Sequence, residues 1–466
     1  MRARSGVDKG VLMKASVKAT AAVAVVATGL VLGGCSGGGS VDASGKSITV
    51  MYEKTDSFTV LDTLMQTAKK EFEKAHSDVT VDLQPVAASD DDYKTRLQLS
   101  LKSADTAPDV FYEDTFNVRA DIEAGYLRNL DEQLAGWSDW SKFDDAAKKA
   151  GQGADGSVYA LPLGADTRVI WYNKNVLSKA GVSVPWQPKT WNDILDAAAK
   201  IKAAEPDAVP FNMYAGTGTG EGTVMQSFYE LLYGTGDGTG LYDDDAKKWV
   251  VGSQGFVDSL TFLKTLYDKG YAVTPAKALD PNVWKAVFGD LFPNDKIGGT
   301  VEGSYAPSFW EEGGAYPWPD YTKVMGVAEF PTQNGQAPGG VSMSGGWTLA
   351  SSAQTKNPDL AFDFMTTVLS KKNALWWDVH NAKIAVRTDV AQEKEYLDAN
   401  PFVGAVSDVL SVSHYRPADS DYPQISVAAQ KATEAVITGS QTPQQAAAAY
   451  DDAVRQIVGD DNVITK

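Results

Sequence analysis

Residues 47–86, SITVMYEKTDSFTVLDTLMQTAKKEFEKAHSDVTVDLQPV, carry the pattern that predicts the fold. Residues 47–52 are rich in β-forming side chains, and residues 60–72 repeat apolar side chains at helical spacing. Residues 79–86 and 108–113 predict two further strands. Strands that alternate with helices in this way predict an α/β fold with a largely parallel sheet and helices on both of its faces.

Acidic side chains follow two of these strands. Glu53 and Asp56 come after the first strand, and Glu113 and Asp114 lie at the end of the third. Ligands of open α/β sheets bind beyond the carboxyl ends of the strands. We therefore expect these side chains near one rim of the sheet. Glu53 and Asp56 either bind a ligand there or belong to a solvated turn.

Later elements begin at recognisable sequence signals. Residues 156–164 and 165–174 predict two strand-like runs around a turn. Thr190 opens a helix, with an aspartate three residues later as its capping partner. A proline at the first helical position begins a helix within residues 357–369. Residues 442–458 begin with a full capping box and predict a further helix.

The amino terminus has the pattern of a targeting segment. A basic leader precedes an uncharged run over residues 19–34, which is too short and too small in side chains for a comfortable membrane span. The run ends in Leu-Gly-Gly before Cys35 and resembles a bacterial lipoprotein signal. The resemblance implies that residues 1–34 are removed as a signal peptide and that Cys35 is acylated. Residues 35–46 are then a flexible tether.

This signal predicts where the protein works. It implies a chain held by lipid on the extracytoplasmic face of the cell membrane, and two or more acyl chains, such as palmitate, hold stably. Two alternatives stay open. Cys35 is otherwise an ordinary small residue in a flexible stretch, and the true start is either Met1 or Met13.

The chain is acidic, with a formal net charge of −18 over 466 residues. Loss of residues 1–34 would remove five basic residues and one acidic residue, so the mature chain would be more acidic still. Such a surface repels nucleic acid and anionic lipid but excludes no neutral ligand. Because Cys35 is the single cysteine, no disulfide can form within the mature domain.

Two glycine-rich stretches, residues 216–222 and 234–240, do not match a phosphate-binding loop. No Lys-Ser or Lys-Thr follows them, and their spacing fits no nucleotide fingerprint. They predict flexible loops instead. The acidic run at residues 243–245 lacks the alternating ligands of a calcium loop, so we expect neither a metal nor a cofactor.

A series of short motifs runs along the chain. They are Ala107-Pro-Asp-Val-Phe111, Gly156-Ser-Val-Tyr-Ala-Leu-Pro162, Trp171-Tyr-Asn-Lys174 followed by Leu177, Pro188-Lys-Thr-Trp-Asn-Asp-Ile194, Gly345-Gly-Trp347, Asn357-Pro-Asp-Leu-Ala-Phe-Asp-Phe364 and Thr438-Gly-Ser-Gln-Thr-Pro-Gln-Gln-Ala446. In this order, behind a lipoprotein signal, they resemble the family-1 extracellular solute-binding proteins of ABC sugar importers, which include the maltose-binding proteins. The resemblance covers essentially all of residues 47–460.

The resemblance implies a type II periplasmic-binding-protein-like fold, in which two hinged α/β lobes close over a ligand in a central cleft. Carried over by motif, lobe one holds residues 47–160 and 300–350, and lobe two holds residues 161–299 and 351–466. The implied function is capture of a sugar or short oligosaccharide for the permease subunits of an ABC importer, by a monomer that is not an enzyme. The insertion-like loop 214–240 departs from maltose-binding proteins, so the identity of the ligand does not carry over.

Sugar recognition needs aromatic faces for the C–H side of a pyranose and polar groups for its hydroxyls. Trp347 is the first candidate, because Gly345 and Gly346 let the backbone approach a ligand, and relatives stack the tryptophan after such glycines on sugar. The alternative is a core tryptophan. The turn from Glu302 to Tyr305 resembles the place of an aromatic platform in relatives, which implies that Tyr305 stacks and Glu302 accepts from hydroxyls.

The same resemblance supplies four further candidates. Asp166 lies where relatives carry a polar sugar contact, and Arg168 beside it is a second contact or a hinge ion pair. Asp114 matches a hydroxyl-binding position, with a helix cap as the alternative. Arg416 resembles an arginine that disaccharide-binding relatives use as a fork-shaped donor. Trp310 either lines the cleft or packs in the core.

Two other functions stay open at this point. A secreted glycoside hydrolase would use paired carboxylates, but the sequence has no GxSxG, HExxH or cysteine–histidine pattern and only three histidines. The same fold could instead bind a polyamine, iron or a phosphate ester, through clustered carboxylates, tyrosine pairs or a basic pocket. The Gly-Gly-Trp motif and the many aromatic residues favour a neutral sugar.

Overall fold

A computed structural model describes residues 46–236, 238, 240–417 and 419–466. The predicted signal peptide, the acylated cysteine and the tether up to residue 45 lie outside the described residues. Within those residues, no helix combines the length and the apolar character that crossing a membrane would require.

Strands alternate with helices along most of the described chain. The strands are β1 (Lys46–Glu53), β2 (Val79–Val86), β3 (Val110–Asp114), β4 (Ala160–Asp166), β5 (Arg168–Asn173), β6 (Tyr242–Asp243), β7 (Lys248–Val251), β8 (Gly299–Gly303), β9 (Met325–Ala328), β10 (Phe330–Pro331), β11 (Gly340–Ser351), β12 (Ser413–Tyr415) and β13 (Val463–Thr465).

The helices range from single turns to rods of sixteen residues. They are α1 (Val60–Ala75), α2 (Asp90–Leu101), α3 (Thr115–Glu123), α4 (Asp131–Leu134), α5 (Asp145–Lys149), α6 (Lys174–Lys179), α7 (Trp191–Ala204), α8 (Glu221–Gly234), α9 (Gln254–Asp268), α10 (Pro275–Ala278), α11 (Val283–Ala286), α12 (Pro307–Trp310), α13 (Tyr321–Val324), α14 (Pro358–Val368), α15 (Lys371–His380), α16 (Lys394–Leu397), α17 (Val403–Asp408), α18 (Tyr422–Ile437) and α19 (Pro443–Val458). Tighter 3₁₀ turns cover Ser138–Lys142, Val409–Val412 and Asp460–Asn462, and a π turn covers Val287–Leu291.

The predicted helix starts are confirmed. Thr190 and Asp193 cap α7 reciprocally, and Thr442 and Gln445 do the same for α19. Pro358 lies in the first turn of α14. These side chains satisfy backbone N–H groups that have no partner within the helix, so short sequence signals were sufficient to locate them.

The predicted β-α-β beginning is confirmed in the largest sheet. β1 lies between β2 and β3 and is parallel to both. β11 extends this sheet beyond β3 in the antiparallel direction and also pairs with β4. The parallel strands β1 and β3 therefore end at one edge, which brings Glu53 and Asp114 to the same rim.

The sheets of the second half differ from the largely parallel prediction. β5 lies between β8 and β9 and is antiparallel to both. The third sheet, in the order β13-β7-β6, contains one parallel and one antiparallel pair. Long segments of chain, rather than a single crossover helix, connect β5 to β8 and β8 to β9. These connections do not require the strands to pair in the parallel direction.

Buried apolar side chains form two main cores. The first packs α1 on the parallel strands and continues through residues 347–386, with Val50, Phe72 and Trp377 in its interior. The second surrounds β5, α8, α9 and α18 and includes Trp171. A smaller cluster under α2 lies beside the first core. We call the part of the chain around the first core lobe one and the part around the second core lobe two.

The lobe boundaries differ from the predicted ones in two segments. Residues 299–343 pack in lobe two because β8 and β9 flank β5, whereas the motifs place 300–350 in lobe one. Residues 351–386 pack in lobe one because α14 and α15 lie against α1, whereas the motifs place them in lobe two.

The chain passes between the lobes within extended strands. β4 lies in lobe one and β5 in lobe two, with Thr167 between them. β11 makes the return passage, because its residues 342–344 pair with β12 and its residues from Gly345 onwards pair with β4. A Cβ atom on Gly346 would lie 2.3 Å from the carbonyl oxygen of Gly164, so this close strand contact requires glycine.

The segment 214–240, which was predicted as an insertion-like loop, is helical over much of its described length. It contains α8, which buries Phe228 and Leu231 in lobe two. Gly220 precedes the helix with a φ of 77°, a conformation that favours glycine. The glycines before the helix therefore form its entry turn, and their abundance concealed the apolar positions that follow.

Candidate functional site

A narrow cavity lies between the two lobes. The end of β3 and parts of α2, α3 and β11 form its wall on the lobe-one side, and Gly222 at the start of α8 contributes from lobe two. The free space between these elements is about 430 Å³, a volume that includes open solvent. Its polar and aromatic lining includes Tyr93, Glu113, Asp114, Asn117, Asp121 and Trp347.

Trp347, the first sequence candidate, borders this cavity from β11. Its partly exposed indole lies parallel to the ring of Tyr112, with the ring centroids 4.3 Å apart and the planes inclined by 3°. Tyr112 thus covers one face, the indole also packs against the apolar clusters of this half of the chain, and part of the side chain borders the cavity. An aromatic ring that is already held in place can stack on a sugar ring at little cost in side-chain entropy.

Asp114 caps a helix and also lies at the cavity. Its Oδ1 accepts a hydrogen bond of 3.2 Å from the backbone N–H of Phe116, which caps α3, and the same side chain lines the cavity. Burial raises the pKa of Asp114 to about 7, with Arg416 opposing this rise and Glu221 adding to it. Near neutral pH the carboxyl group can therefore either accept a hydrogen bond or donate one.

Three side chains beside Trp347 present unsatisfied acceptor oxygens, and we call Glu113, Asn117 and Asp121 the acceptor wall. Glu113 is 1% exposed, and neither of its carboxyl oxygens meets a donor among the described residues. Asn117 Oδ1 and Asp121 Oδ2 also lack a donor there, while Asp121 Oδ1 accepts from Gln98 Nε2 at 3.2 Å. Burial, reinforced by Asp121 and Asp114, raises the pKa of Glu113 well above its usual range. Donor groups of a ligand would satisfy these oxygens.

Arg416 lies near the cavity, but its fork is occupied. Its Nε and Nη2 donate to the two carboxylate oxygens of Glu221 at 2.7 and 3.0 Å. Its guanidinium carbon lies 5.4 Å from the centroid of the Phe116 ring in lobe one. Arg416, the predicted donor to a sugar, therefore already has a bidentate partner within the protein. This ion pair connects the segment after β12 to α8, and the cation–π contact with Phe116 connects the same guanidinium group to lobe one.

Asp166 forms a buried ion-pair cluster where the chain passes between the lobes. It accepts from Arg168 on β5 and, at 3.0 Å, from Lys383 Nζ in lobe one. Burial alone would raise the pKa of Asp166, but Arg168 and Lys383 lower it. The ring of Tyr305 lies close to both cations, 4.8 Å from Lys383 Nζ and 5.5 Å from the Arg168 guanidinium carbon. Arg168 is thus the hinge ion pair that the sequence offered as an alternative.

Tyr305 and Glu302 are not among the residues that line the cavity with Trp347. The Tyr305 hydroxyl donates to Gln226 Oε1 at 3.2 Å, and Gln226 Nε2 donates to Glu302 Oε2 at 3.2 Å. Glu302 is buried, and burial raises its pKa. The structure therefore places this predicted platform in a hydrogen-bonded group within lobe two, next to the cations of the hinge.

Three further candidates occupy structural positions. Trp310 is 1% exposed and its Nε1 donates to the carbonyl oxygen of Phe288, so it packs in the core of lobe two. Gly346 contacts the backbone at Gly164 rather than offering backbone to a ligand. Glu53 is buried at the end of β1 and does not lie in a solvated turn.

The sequence analysis missed most of the acceptor wall. Asp114, Asn117 and Asp121 follow one another at intervals of three and four residues, which places them on one face of α3 and its cap. Because α3 follows β3 directly, that face borders the rim already predicted for ligands. Helical spacing of polar residues after the third strand was the signal that could have found them.

The whole chain was compared with known proteins. The model of the family described as bacterial extracellular solute-binding protein matches residues 55–375, and this chain belongs to that family. A probable ABC transporter-binding protein of Deinococcus radiodurans is 29% identical over 317 residues, which are 65% of this chain and 70% of that protein. The diacetylchitobiose binding protein DasA of Streptomyces coelicolor is 28% identical over 305 residues, which are 64% of this chain and 63% of that protein.

Solved structures share the architecture. The GacH receptor of Streptomyces glaucescens, known unliganded and in complex with acarbose and an acarbose homolog, is 26% identical and superposes with a TM-score of 0.75. The match covers 89% of this chain and 99% of that chain. The predicted type II periplasmic-binding-protein fold is confirmed, and the family indicates a protein that acts outside the cytoplasm.

Proposed function

We propose that this protein captures a sugar or short oligosaccharide between its two lobes and delivers it to the permease subunits of an ABC importer. The observation that carries the proposal is the indole of Trp347, which is stacked on Tyr112 and lines the cavity together with the acceptor wall. A pyranose offers an apolar C–H face together with hydroxyl donors, and this site supplies the partners of both. The family and the saccharide ligand named for DasA support the same conclusion.

The charges near the cavity favour a ligand that is not anionic. Arg416 is paired with Glu221, and Arg168 is paired with Asp166. Among the residues that line the cavity, Lys94 is the single cationic side chain, and it lies beside three carboxyl groups. A phosphate ester needs several free donors or cations, which makes it the less favourable occupant of this site.

A binding screen tests the proposal. The mature chain would be titrated calorimetrically, and melted, with mono- to trisaccharides, with spermidine and with glycerol phosphate. A ligand at a hundred times its dissociation constant stabilises the fold by about 2.7 kcal/mol. We expect such stabilisation from at least one saccharide. Binding of spermidine or glycerol phosphate without binding of any saccharide would contradict the proposal.

Attachment to the membrane through Cys35 belongs to the proposal as well. The residue lies outside the described part of the chain, and the support is the order of basic leader, apolar run and cysteine in the sequence. Cys35→Ala should move the protein from the membrane fraction to the soluble fraction and abolish labelling with radioactive palmitate. Ser36→Ala is the matched control and should change neither result.

We further propose that the protein binds saccharides without converting them, and that it acts as a monomer. Incubation of the mature chain with each saccharide that binds should return the ligand unchanged in a chromatographic assay. Release of a shorter saccharide would establish a hydrolase instead. Light scattering of the Cys35→Ala variant should give the mass of one chain.

A further inference from the structure

The acceptor wall presents buried acceptor oxygens that meet no donor among the described residues. Glu113, Asn117 and Asp121 all line the cavity, and each has at least one buried oxygen without a donor among the described residues. Glu113 is the clearest case, since it is 1% exposed and both of its oxygens lack a donor. Its carboxyl group interacts with the carboxyl group of Asp121.

The charged and titratable groups that act on Glu113 come from three elements. Asp121 belongs to α3 and Asp114 to its cap, while Lys94 and Tyr93 belong to α2. Lys94 is the one cation named among them, and its Nζ lies 4.6 Å from the centroid of the Phe116 ring rather than within a hydrogen bond of Glu113. This end of the cavity therefore presents three carboxyl groups and one ammonium group.

The chemistry of the wall distinguishes between two kinds of cationic occupant. A metal ion would need a clustered set of ligands, and among the described residues no group of three or more His, Cys, Asp or Glu side chains could hold one. An ammonium group carries three donors and no acceptor. Those three donors match acceptors supplied by Glu113, Asn117 and Asp121.

We propose that the acceptor wall is a subsite for a protonated amino group, so that the ligand is an amino sugar or an oligosaccharide that contains one. This inference rests on the proposed function and specifies the class of saccharide. Trp347 stacks on the sugar ring, and the ammonium group on that ring or on its neighbour points to Glu113 and Asp121.

The proposal includes a defined transfer of one proton. In the free protein, burial and the carboxyl groups of Asp121 and Asp114 raise the pKa of Glu113, which favours the protonated form of its side chain. An ammonium group that enters the wall replaces this proton as the donor, and the proton passes to the buffer. Binding should therefore release about one proton, whereas an uncharged saccharide leaves it in place.

The test uses two ligands with one skeleton. Chitobiose carries two free amino groups, and diacetylchitobiose carries acetamides in their place. At about pH 6 we expect the mature chain to bind chitobiose at least about tenfold more tightly, which is about 1.4 kcal/mol. Titrations in two buffers of different ionisation enthalpy should show proton release with chitobiose and none with the acetylated form.

Variants connect this preference to the wall. Glu113→Gln and Asp121→Asn keep the shape of the side chains. Glu113→Gln should remove both the preference for chitobiose and the proton release, and Asp121→Asn should weaken the preference. Glu123→Gln, an exposed residue at the end of α3, is the matched control and should preserve both. Thermal melts of all variants establish that the fold is intact.

The outcomes separate this inference from the function on which it rests. Equal or tighter binding of diacetylchitobiose, or a preference that survives in both Glu113→Gln and Asp121→Asn, would overturn the ammonium subsite and leave sugar capture standing. Binding of another saccharide but of neither test ligand would also overturn it. If no saccharide in the whole screen binds, the proposed function itself fails.

Discussion

Replacing Trp347 with alanine removes the indole that lies 4.3 Å above the Tyr112 ring and borders the cavity. A pyranose stacked on its open side would bury about 80 Å² of apolar surface, which corresponds to about 2 kcal/mol at about 25 cal/mol per Å². We therefore expect the dissociation constant of a bound saccharide to rise by about thirtyfold in calorimetric titration. Trp347→Phe keeps an aromatic face on Tyr112 and should give an intermediate loss.

A matched control separates binding from stability. Trp347→Ala also removes the stack on Tyr112, which contributes about 0.5–1.5 kcal/mol to folding, so each variant must be melted as well as titrated. Trp376 is partly buried on α15 and stacks on His380 at 4.5 Å, away from the lining of the cavity. Trp376→Ala should lower the melting temperature without changing the affinity. A folded Trp347→Ala variant whose affinity changes by less than about threefold would refute the stacking role of this residue.

Three further substitutions test the hinge and the core. Gly346→Ala should lower the free energy of unfolding by about 1–3 kcal/mol in urea titrations, because its Cβ would meet the neighbouring strand. Asp166→Asn should cost about 3–5 kcal/mol, because two buried cations lose their partner. The pKa of Asp166 is lowered in the folded protein, so its ionised form stabilises the fold above about pH 4, and this stabilisation is lost as the pH falls further. The melting temperature of the wild type should therefore fall more steeply below about pH 4 than that of Asp166→Asn. Trp310→Ala should cost about 3–5 kcal/mol in the same titrations and leave the affinity for saccharide unchanged wherever the variant is folded.

The sequence predicted those parts of the fold that depend on neighbours along the chain. The first two strands and α1 follow from periodicity, and the starts of α7 and α19 follow from capping residues within four positions of one another. Helix α8 was hidden because the glycine-rich residues 216–222, which lead into its first turn, resemble a loop. The composition of this segment indicates a loop, but the segment forms a helix because its apolar side chains are buried in lobe two.

The parts that failed depend on pairing between distant segments. The assignment of residues 299–343 to lobe two follows from β8 and β9 lying on either side of β5, which no local pattern encodes. The partner of Arg416 is likewise remote, because Glu221 lies 195 positions earlier in the chain. A family motif could identify Arg416 as a fork-shaped donor, but it could not show that a carboxylate of the same protein occupies the fork.

The position of Trp347 links recognition to the movement of the lobes. β11 passes from lobe two to lobe one at Gly345 and Gly346, so the indole begins one residue beyond the passage, on a backbone that is paired with both β3 and β4. A hinge motion absorbed before Gly346 would leave the stack of Trp347 on Tyr112 undisturbed. Lobe two, with Gly222 at the start of α8, would then close on a platform that is already rigid. The indole therefore loses its side-chain entropy when the protein folds. Ligand binding has to offset only the free-energy cost of closing the lobes.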